Sequence, residues 1–437
     1  MSEGRETTIN SQAESRPWPL WQRCLFRYWF CYIFLYLFPF PFSAIPGLHL
    51  IAIPWDMFVR ALVNGSAAYC FHVTPDWSHA GSGSGDQLIR WIELATYAGF
   101  ALPLATVWSI LDRRRRQYRF LFTLLRIWSL TFVAANMLSY GAAKIIPSQF
   151  PPLHDQDLSQ TVATKSPMGI LWTFMSTSQP YTIFAGLAEF AAGLLLAVPV
   201  TRVLGALLCF AVATQIFMLN MCYDVPVKIL SGHLLMLSFF LLLPDVKNLF
   251  GLFCLRKIAV AFPQFELFQK SKINLIFWIC IWLFLAYYAA FGFIGSYKGW
   301  KSSAAAVSRK PGDYSGYWLI SSCLFDGKEL PSTAPASQRW CSMWVYKDRI
   351  AVCGADGQWK SYAIQKEPNG TDFLMIARDR TAQRAFFRGV MPDLDSWNLS
   401  GDVANTPCEI HLRRPLGGDS LLLNRGFHWV NEVPYNR

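Results

Sequence analysis

The pattern of apolar and polar residues along the chain changes character near residue 300. Before this point, long apolar stretches alternate with short polar and basic segments. After it, short segments alternate apolar and polar residues, and no apolar run has the length of a membrane span. A spanning helix needs about 20 mostly apolar residues, whereas an alternation of period two is typical of β-strands. The pattern therefore predicts an α-helical polytopic membrane bundle followed by a C-terminal all-β domain.

The apolar stretches of the first part predict about seven spans. One of them, at residues 228–244, is close to the shortest length that crosses a bilayer. In the first span, Pro39, Pro41 and Pro46 predict that the helix ends early, because proline breaks a helix interior. The candidate spans are residues 23–46, 89–111, 121–146, 181–200, 203–223, 228–244 and 273–294.

The organisation that follows has four parts. We expect a tail at residues 1–22, a transmembrane bundle at 23–294, a tether at 295–314 and a β domain at 315–437. Within the bundle, residues 49–88 and 147–180 are predicted outer loops, and the second contains an amphipathic patch around Met168–Met175. The connection at 246–272, in which Phe and Leu alternate with Lys, predicts a helix on the membrane surface.

The β domain is predicted from short alternating segments separated by turn dipeptides. The turn signals are Asp326-Gly327, Asp356-Gly357 and Asn369-Gly370. Such spacing favours an antiparallel barrel or sandwich. After a first strand that begins near residue 315, the expected strands are Trp340–Tyr346, Ile350–Cys353, Trp359–Ile364, Phe373–Ala377, Ala385–Val390, Trp397–Leu399, Glu409–Arg413 and Leu421–Leu423.

The charge distribution predicts the orientation in the membrane. The net charge is +11, although only 15% of the residues are charged. The basic residues cluster at Arg113–Arg116 and at 247–272, and Lys and Arg are enriched in cytoplasmic loops. We therefore expect a cytoplasmic N-terminus and, after seven crossings, a β domain outside.

Because this pattern accounts for the charge, the predicted partner is the lipid bilayer, with no nucleic acid. The predicted location is a bacterial inner membrane, with a periplasmic or extracellular β domain.

The β domain contains four of the 11 cysteines: Cys323, Cys341, Cys353 and Cys408. An even number of cysteines in an oxidising compartment permits two disulfides, and four buried free thiols are the alternative. Cys341 and Cys353 fall on adjacent predicted strands and are the preferred pair, provided that the register places them opposite one another.

Residues 121–245 resemble a known family of membrane proteins. Residues 139–144 (SYGAAK) look like the Gly-x-x-Lys signature of DoxX-type proteins. Residues 186–189 (GLAE), with Gly193 one turn later and Arg202 after the span, look like the Gly-x-x-Glu…Gly helix of that family. The resemblance implies a DoxX-like four-helix core, and some members are assigned to quinone-linked oxidation of sulfur compounds.

A second resemblance covers residues 315–437. Residues 316–318 (GYW), at the start of the first strand, are similar to the Gly-x-Trp opening of lipocalin-like barrels. The tail at 425–437 looks like the ending of β domains that are fused to DoxX-type bundles. The resemblance implies a lipocalin-like barrel, although the domain is short for a roomy ligand cavity.

Ionisable residues in the spans are the candidate functional residues, because charges are costly inside a membrane. The candidates for catalysis are Tyr140, Lys144, Glu189, Asp224 and His233. With the predicted orientation, all of them lie in the outer half of the bilayer. Glu189 and Lys144 could neutralise one another, and His233 and Tyr140 could relay or donate protons.

Each candidate also has a structural interpretation. Glu189 with Lys144 could be a helix-packing ion pair, and Asp224 with Lys228 could stabilise a tight turn around Pro226. His233 could simply bond a neighbouring carbonyl. No metal site is predicted, because the seven histidines are dispersed, and no nucleotide-binding motif is present.

Two functions therefore remain open. The first is a quinone- or thiol-linked membrane oxidoreductase, or a subunit of such a complex, whose polar cluster binds a quinone head group; the sequence specifies no cofactor of its own. The second is a non-enzymatic scaffold or assembly subunit whose β domain binds a protein partner or lipid. A transporter is less well supported, because charges are scarce in the inner halves of the spans, where a pathway would continue.

Overall fold

The structure is a computed structural model of the chain. It describes residues 17–78, 83–153, 157–158, 160, 162, 165–256, 267–268, 271–307, 316–331, 333–345, 349–366, 372–377, 384–393, 395–403 and 406–414. The chain divides into two compact units. One consists of Met1–Ile146 with Ile183–Ser296, and the other of Pro147–Thr182 with Tyr297–Arg437.

The helices follow the apolar pattern of the sequence. The α-helices are α1 Leu20–Leu37, α2 Ala52–Tyr69, α3 Leu88–Leu111, α4 Arg119–Ile145, α5 Pro167–Thr177, α6 Gln179–Ala197, α7 Arg202–Cys222, α8 Lys228–Leu242, α9 Val246–Leu255 and α10 Ser271–Val307. Short 3₁₀ helices occur at Phe42–Ala44, Leu48–Ile51 and Leu243–Asp245.

Seven helical segments among the described residues are long and apolar enough to cross a membrane. They correspond to the seven candidate spans of the sequence, and they identify the chain as an integral membrane protein that could contact lipid. The first α-helix ends at Leu37, before Pro39, as the prolines predict. The segments are Leu20–Ala44, Leu88–Leu111, Arg119–Ile145, Gln179–Ala197, Arg202–Cys222, Lys228–Leu255 and Ser271–Ser302.

Two connecting segments differ from the prediction. The expected outer loop at 49–88 contains helix α2, which buries Val59, Val63 and Ala67. These residues are spaced by four and so form one apolar helix face, whereas Asp56 and Arg60 lower the overall hydropathy. The expected tether at 295–314 is helical as far as Val307, because its Ala-rich segment has high helix propensity.

The core of the bundle is built around α4, which is the most buried of the spans. Its residues Leu125, Leu130, Val133 and Ala134 are inaccessible to solvent. They belong to a continuous apolar cluster that also receives residues from α1, α6, α7, α8 and α10. A smaller cluster joins α1, α2 and α3. The location of α4 is important for the candidate site, because this helix carries Tyr140 and Lys144.

Two of the basic segments, at the start of α1 and between α3 and α4, are in contact. The amide of Trp18 donates a hydrogen bond to the carbonyl of Arg116 at 3.0 Å. The buried Arg27 donates to the Tyr118 hydroxyl and to the carbonyl of Asp112. The start of α1 and the α3–α4 connection therefore lie together, as the predicted orientation requires. Which side of the membrane they face stays a prediction.

The β unit is a single antiparallel sheet. Its strands are β1 Gly316–Phe325, β2 Lys328–Glu329, β3 Trp340–Val345, β4 Arg349–Gly354, β5 Trp359–Lys366, β6 Asp372–Ala377, β7 Arg384–Val390, β8 Ser396–Val403 and β9 Thr406–Arg413. Sequential neighbours pair from β3 to β9, and β1 pairs with both β3 and β9. The pairings therefore close into a ring, and β2 extends β1 outside it. The sequence predicted either a barrel or a sandwich, and a ring of paired strands is the arrangement of a barrel.

The inside of this sheet is filled by side chains. Trp318, Met343, Ile350, Phe387 and Ile410 are all inaccessible to solvent. Trp318 lies near the start of β1, in the Gly-x-Trp segment of the sequence. The Arg414 guanidinium, directly after β9, lies 4.0 Å from the centroid of the Trp318 ring.

Most of the predicted strands agree with the structure to within a few residues. Asp326 and Gly327 adopt positive φ angles of 51° and 73° between β1 and β2, which is the conformation that a tight hairpin turn requires. The predicted strand Leu421–Leu423, the turn Asn369-Gly370 and the tail at 425–437 lie outside the described residues.

The register does not place the preferred disulfide pair of the sequence, Cys341 with Cys353, directly opposite one another. Cys353 is paired with Ser342, and Cys341 falls at an irregularity between β3 and β4. The pair of sulfur atoms that forms a contact is instead Cys323 with Cys408, at 4.0 Å. Adjacent strands alone could not distinguish these pairs, because a β-bulge shifts the register by one residue.

Candidate functional site

The centre of the candidate site is an ion pair between α4 and α6. The Nζ atom of Lys144 lies 2.7 Å from Oε1 of Glu189 and 2.8 Å from Oε2. The side chains are only 10% and 4% exposed, respectively. Both carboxylate oxygens are therefore engaged by one ammonium group in a water-poor environment, where a charge without a partner would be costly.

Glycine residues bring the two helices close enough for this ion pair. A Cβ atom added at Gly186 would lie 2.7 Å from the Cβ of Lys144, and one added at Gly141 would lie 2.7 Å from the backbone nitrogen of Phe190. Contacts this short do not occur between real Cβ atoms, so larger residues would separate α4 and α6. About two turns after Gly186 on α6, a Cβ at Gly193 would lie 3.0 Å from the carbonyl oxygen of Ala134.

Tyr140 lies beside the ion pair on the same helix as Lys144. The Lys144 ammonium is 5.8 Å from the centroid of the Tyr140 ring, which is within the range of a cation–π contact. Tyr140 is 36% exposed, so it is the most accessible of the three side chains. The structure therefore brings three of the five candidates together: Tyr140, Lys144 and Glu189.

His233 belongs to an aromatic cluster between α8 and α1. The Tyr36 ring stacks on the His233 ring with centroids 3.7 Å apart and an interplanar angle of 9°. The Nδ1 atom of His233 lies 2.7 Å from the carbonyl oxygen of Ile229, and Nε2 lies 2.7 Å from the Tyr32 hydroxyl. A carbonyl oxygen only accepts, so Nδ1 donates to it; in the neutral ring, Nε2 then accepts from Tyr32. His233 thus bonds a neighbouring carbonyl, as its structural interpretation expects, but it also has a hydroxyl partner.

Two tyrosines of α1 contact His233 in different ways. Tyr36 stacks on its ring, and Tyr32, one turn earlier on the same face of α1, supplies the hydroxyl that lies 2.7 Å from Nε2. Tyrosine hydroxyls both donate and accept hydrogen bonds, so the Tyr32–His233 pair can hold and exchange a proton.

Asp224 is not part of this group. It lies in the turn between α7 and α8, where its side chain is 82% exposed and contacts Lys228 at 2.8 Å. Lys228 in turn lies 3.7 Å from Asp86, whose carboxylate accepts hydrogen bonds from the Lys228 and Ile229 amides at 2.7 and 3.1 Å. Asp86 therefore caps α8 from a distant part of the chain. The geometry favours the structural interpretation of Asp224, in which it stabilises the turn.

Sequence reasoning missed Tyr32, Tyr36 and Asp86. The two tyrosines could have been found, because Tyr28, Tyr32 and Tyr36 recur every four residues and so lie on one face of α1. Asp86 carried no such signal, since its partners lie 142 and 143 residues further along the chain. Among the described residues, no group of three or more His, Cys, Asp or Glu side chains could hold a metal ion.

These features define a class: a polytopic membrane protein with a buried ion pair in its helical bundle and a C-terminal antiparallel β unit. The chain is similar to the uncharacterised protein YwoB of Bacillus subtilis (strain 168), with 34% identity over 122 residues. The match covers 28% of this chain and 77% of YwoB, so the chain belongs to the same protein family as YwoB. No family model matches the chain, and no solved structure matches it.

Proposed function

We propose that the chain is a DoxX-type membrane oxidoreductase, or the membrane subunit of one, that transfers electrons from a thiol to a membrane quinone. The observation that carries the proposal is the buried ion pair of Lys144 with Glu189 beside the partly exposed Tyr140. A quinone head group has two carbonyl oxygens and is confined to the bilayer. It therefore needs hydrogen-bond donors and a proton source within an apolar bundle.

The residues present match the chemistry of this reaction. Two thiols and one quinone give one disulfide and one quinol, so two electrons and two protons pass to the quinone. Lys144 would donate a hydrogen bond to one carbonyl oxygen and stabilise the negative charge that develops on it. Glu189 would hold the Lys144 ammonium in place and exchange a proton with it. Tyr140 would donate a hydrogen bond to the head group, and His233 with Tyr32 would hold a further exchangeable proton.

The same geometry supports a second function, a non-enzymatic scaffold. The close approach of α4 and α6 at Gly141 and Gly186 is the arrangement that locks two membrane helices together. In this case Lys144 and Glu189 would serve helix packing only, and the β domain would bind a protein partner or lipid. In either case we place the protein in a bacterial inner membrane, with the N-terminus in the cytoplasm and the lipocalin-like domain outside.

Quinone reduction by the purified protein separates the two functions. The protein in detergent would be mixed with a short-chain ubiquinone or menaquinone analogue and reduced glutathione, and quinol formation followed by absorbance against a protein-free blank. The oxidoreductase proposal expects a rate above the blank that falls at least tenfold in Glu189→Gln and stays unchanged in the matched carboxylate variant Asp224→Asn. A rate equal to the blank in the folded wild-type protein, with no quinone in its lipid extract, would favour the scaffold.

A further inference from the structure

Strands β1 and β9, which pair to close the ring, carry two cysteines that are in contact. Cys323 lies on β1 and Cys408 on β9, and their sulfur atoms are 4.0 Å apart. In the register of these strands, Cys323 is paired with Ile410 and Phe325 with Cys408. The two cysteines are therefore diagonal neighbours on the same face, because residues two apart in a strand point to the same side.

The two thiols have different environments. Cys408 is 1% exposed and belongs to the core of the sheet, whereas Cys323 is partly buried and packs against that core. The hydrogen bond between the two thiols holds the pKa of Cys323 below its usual value, and the same hydrogen bond together with burial raises the pKa of Cys408. Cys323 is consequently the more accessible nucleophile, since the thiolate is the form that attacks a disulfide.

We propose that Cys323 and Cys408 form a disulfide that joins β1 to β9 in the mature protein. The oxidant is a disulfide of the compartment, either a protein dithiol oxidant or a small oxidised thiol. The Cys323 thiolate attacks the oxidant and forms a mixed disulfide, which releases one oxidant thiolate. The Cys408 thiolate then attacks the Cys323 sulfur and releases the second. The oxidant gains two electrons, and the two protons from Cys323 and Cys408 pass to its thiolates.

Among the possible pairings of the four cysteines in the β domain, Cys323 with Cys408 closes the longest loop. The two residues are 85 positions apart in sequence. A cross-link restricts the unfolded chain more strongly as the loop that it closes becomes longer. A disulfide needs the sulfurs to approach from 4.0 Å to about 2 Å. Because diagonal positions on neighbouring strands are spaced more widely than directly opposite ones, this approach includes a small shift of β1 relative to β9.

Peptide mapping distinguishes this pair from every other pairing in the β domain. Trypsin cleaves after Lys and Arg, so the four cysteines fall on separate peptides: 310–328, 340–347, 350–360 and 389–413. The full chain would be extracted from membranes in the presence of an alkylating reagent, which traps free thiols, and digested without reduction. We expect peptide 310–328 joined to peptide 389–413, and the link lost after reduction. Alkylation of both Cys323 and Cys408, or a link from either of them to Cys341 or Cys353, overturns the proposal.

Serine variants give a second, independent readout. In the full-length wild-type protein, reduction should lower the Tm of the β domain by roughly 5–15 °C. In Cys323→Ser this dependence on reduction should disappear, whereas the matched control Cys341→Ser should keep it. If Cys323→Ser does not fold, the Tm of the wild-type protein with and without reductant still decides the question. A Tm that reductant does not change contradicts the proposal.

Discussion

Lys144 and Glu189 are each preceded by a glycine three residues earlier, and each glycine makes room for the other helix. Gly141 faces the backbone of α6, and Gly186 faces the Cβ of Lys144. The two Gly-x-x-charge motifs are thus reciprocal, and the ion pair at 2.7 Å depends on both glycines. This relationship explains why small and charged residues occur together in these two apolar helices, since a long side chain at either glycine would hold the charges apart.

The ion pair predicts a non-additive effect of mutation. Glu189→Leu or Lys144→Met alone should lower stability by about 3–5 kcal/mol, because each leaves a buried charge without its partner. The double variant should recover most of this loss. The measurement is thermal unfolding of the three variants in detergent, with quinone reduction assayed in parallel.

The double variant also separates the two proposed functions. A stable but inactive double variant is the expected outcome for an oxidoreductase site, whereas a pair that serves only packing would keep any activity or partner binding. If the double variant loses as much stability as the two single variants together, the side chains of Lys144 and Glu189 do not interact.

The glycine contact predicts a steric effect. Gly186→Ala should destabilise the bundle by about 1–3 kcal/mol, because the added methyl would lie 2.8 Å from the carbonyl oxygen of Gly141. Gly99→Ala is the matched control, since Gly99 lies within α3 and an added Cβ would meet nothing within 4 Å. The control should be neutral or slightly stabilising, because alanine has the higher helix propensity. Equal thermal stability of the two variants would contradict the close approach of α4 and α6.

Asp86 and Asp224 both lie at the start of α8, but their contacts predict different effects on stability. Asp86→Ala should lower stability by about 0.5–2 kcal/mol, since it removes the acceptor for two backbone amides at the start of α8. Asp224→Ala should change stability by less than about 1 kcal/mol, because Asp224 contacts Lys228 from an exposed position. Thermal unfolding of both variants tests this order, and a larger loss for Asp224→Ala would reverse it.

The orientation of the chain is testable with fusions. A reporter that is active only outside the cytoplasm, placed after Arg437, should be active if seven crossings follow a cytoplasmic N-terminus. The physical reason is the location of Arg113–Arg116 and of residues 247–272, because basic loops stay in the cytoplasm. If a cytoplasmic reporter works at this position instead, the number of crossings differs from seven by an odd number.

The β domain should keep its structure outside the context of the bundle. Residues 313–437 expressed alone should give a circular dichroism spectrum of the β type, because the sheet has its own apolar core. Trp318→Ala should lower the stability of this fragment by about 3–5 kcal/mol, since the Trp318 ring is fully buried. A helical or unfolded spectrum of the wild-type fragment would show that the sheet depends on other parts of the chain.

The sequence predicted those parts of the fold that depend on local pattern. Spans such as 89–111 and 121–146 were predicted to within about two residues, because a run of about 20 apolar residues indicates a membrane-spanning helix. Helix α2 was missed, since its buried stripe of Val59, Val63 and Ala67 is diluted by Asp56 and Arg60. Apolar content alone does not reveal a helix that buries a single narrow face.

The candidate site was predictable only where a charge stood in an apolar helix. Lys144 and Glu189 were recognisable for this reason, and opposite charges on neighbouring helices were expected to meet. The contacts of His233 with Tyr32 and Tyr36 were not predictable, because they join residues about 200 positions apart. The register of Cys341 and Cys353 was not predictable either, because it depends on one bulge between β3 and β4.

The pairing of β1 with β9 has a consequence for the synthesis of the protein. β1 begins at Gly316 and is synthesised before β3 to β8, whereas β9 begins only at Thr406. Until β9 has been made, one edge of β1 lacks the neighbour that completes the ring, and an open strand edge is a template for incorrect pairing. The ring therefore cannot close until β9 has been synthesised, and a chain truncated before β9 would keep an open edge on β1.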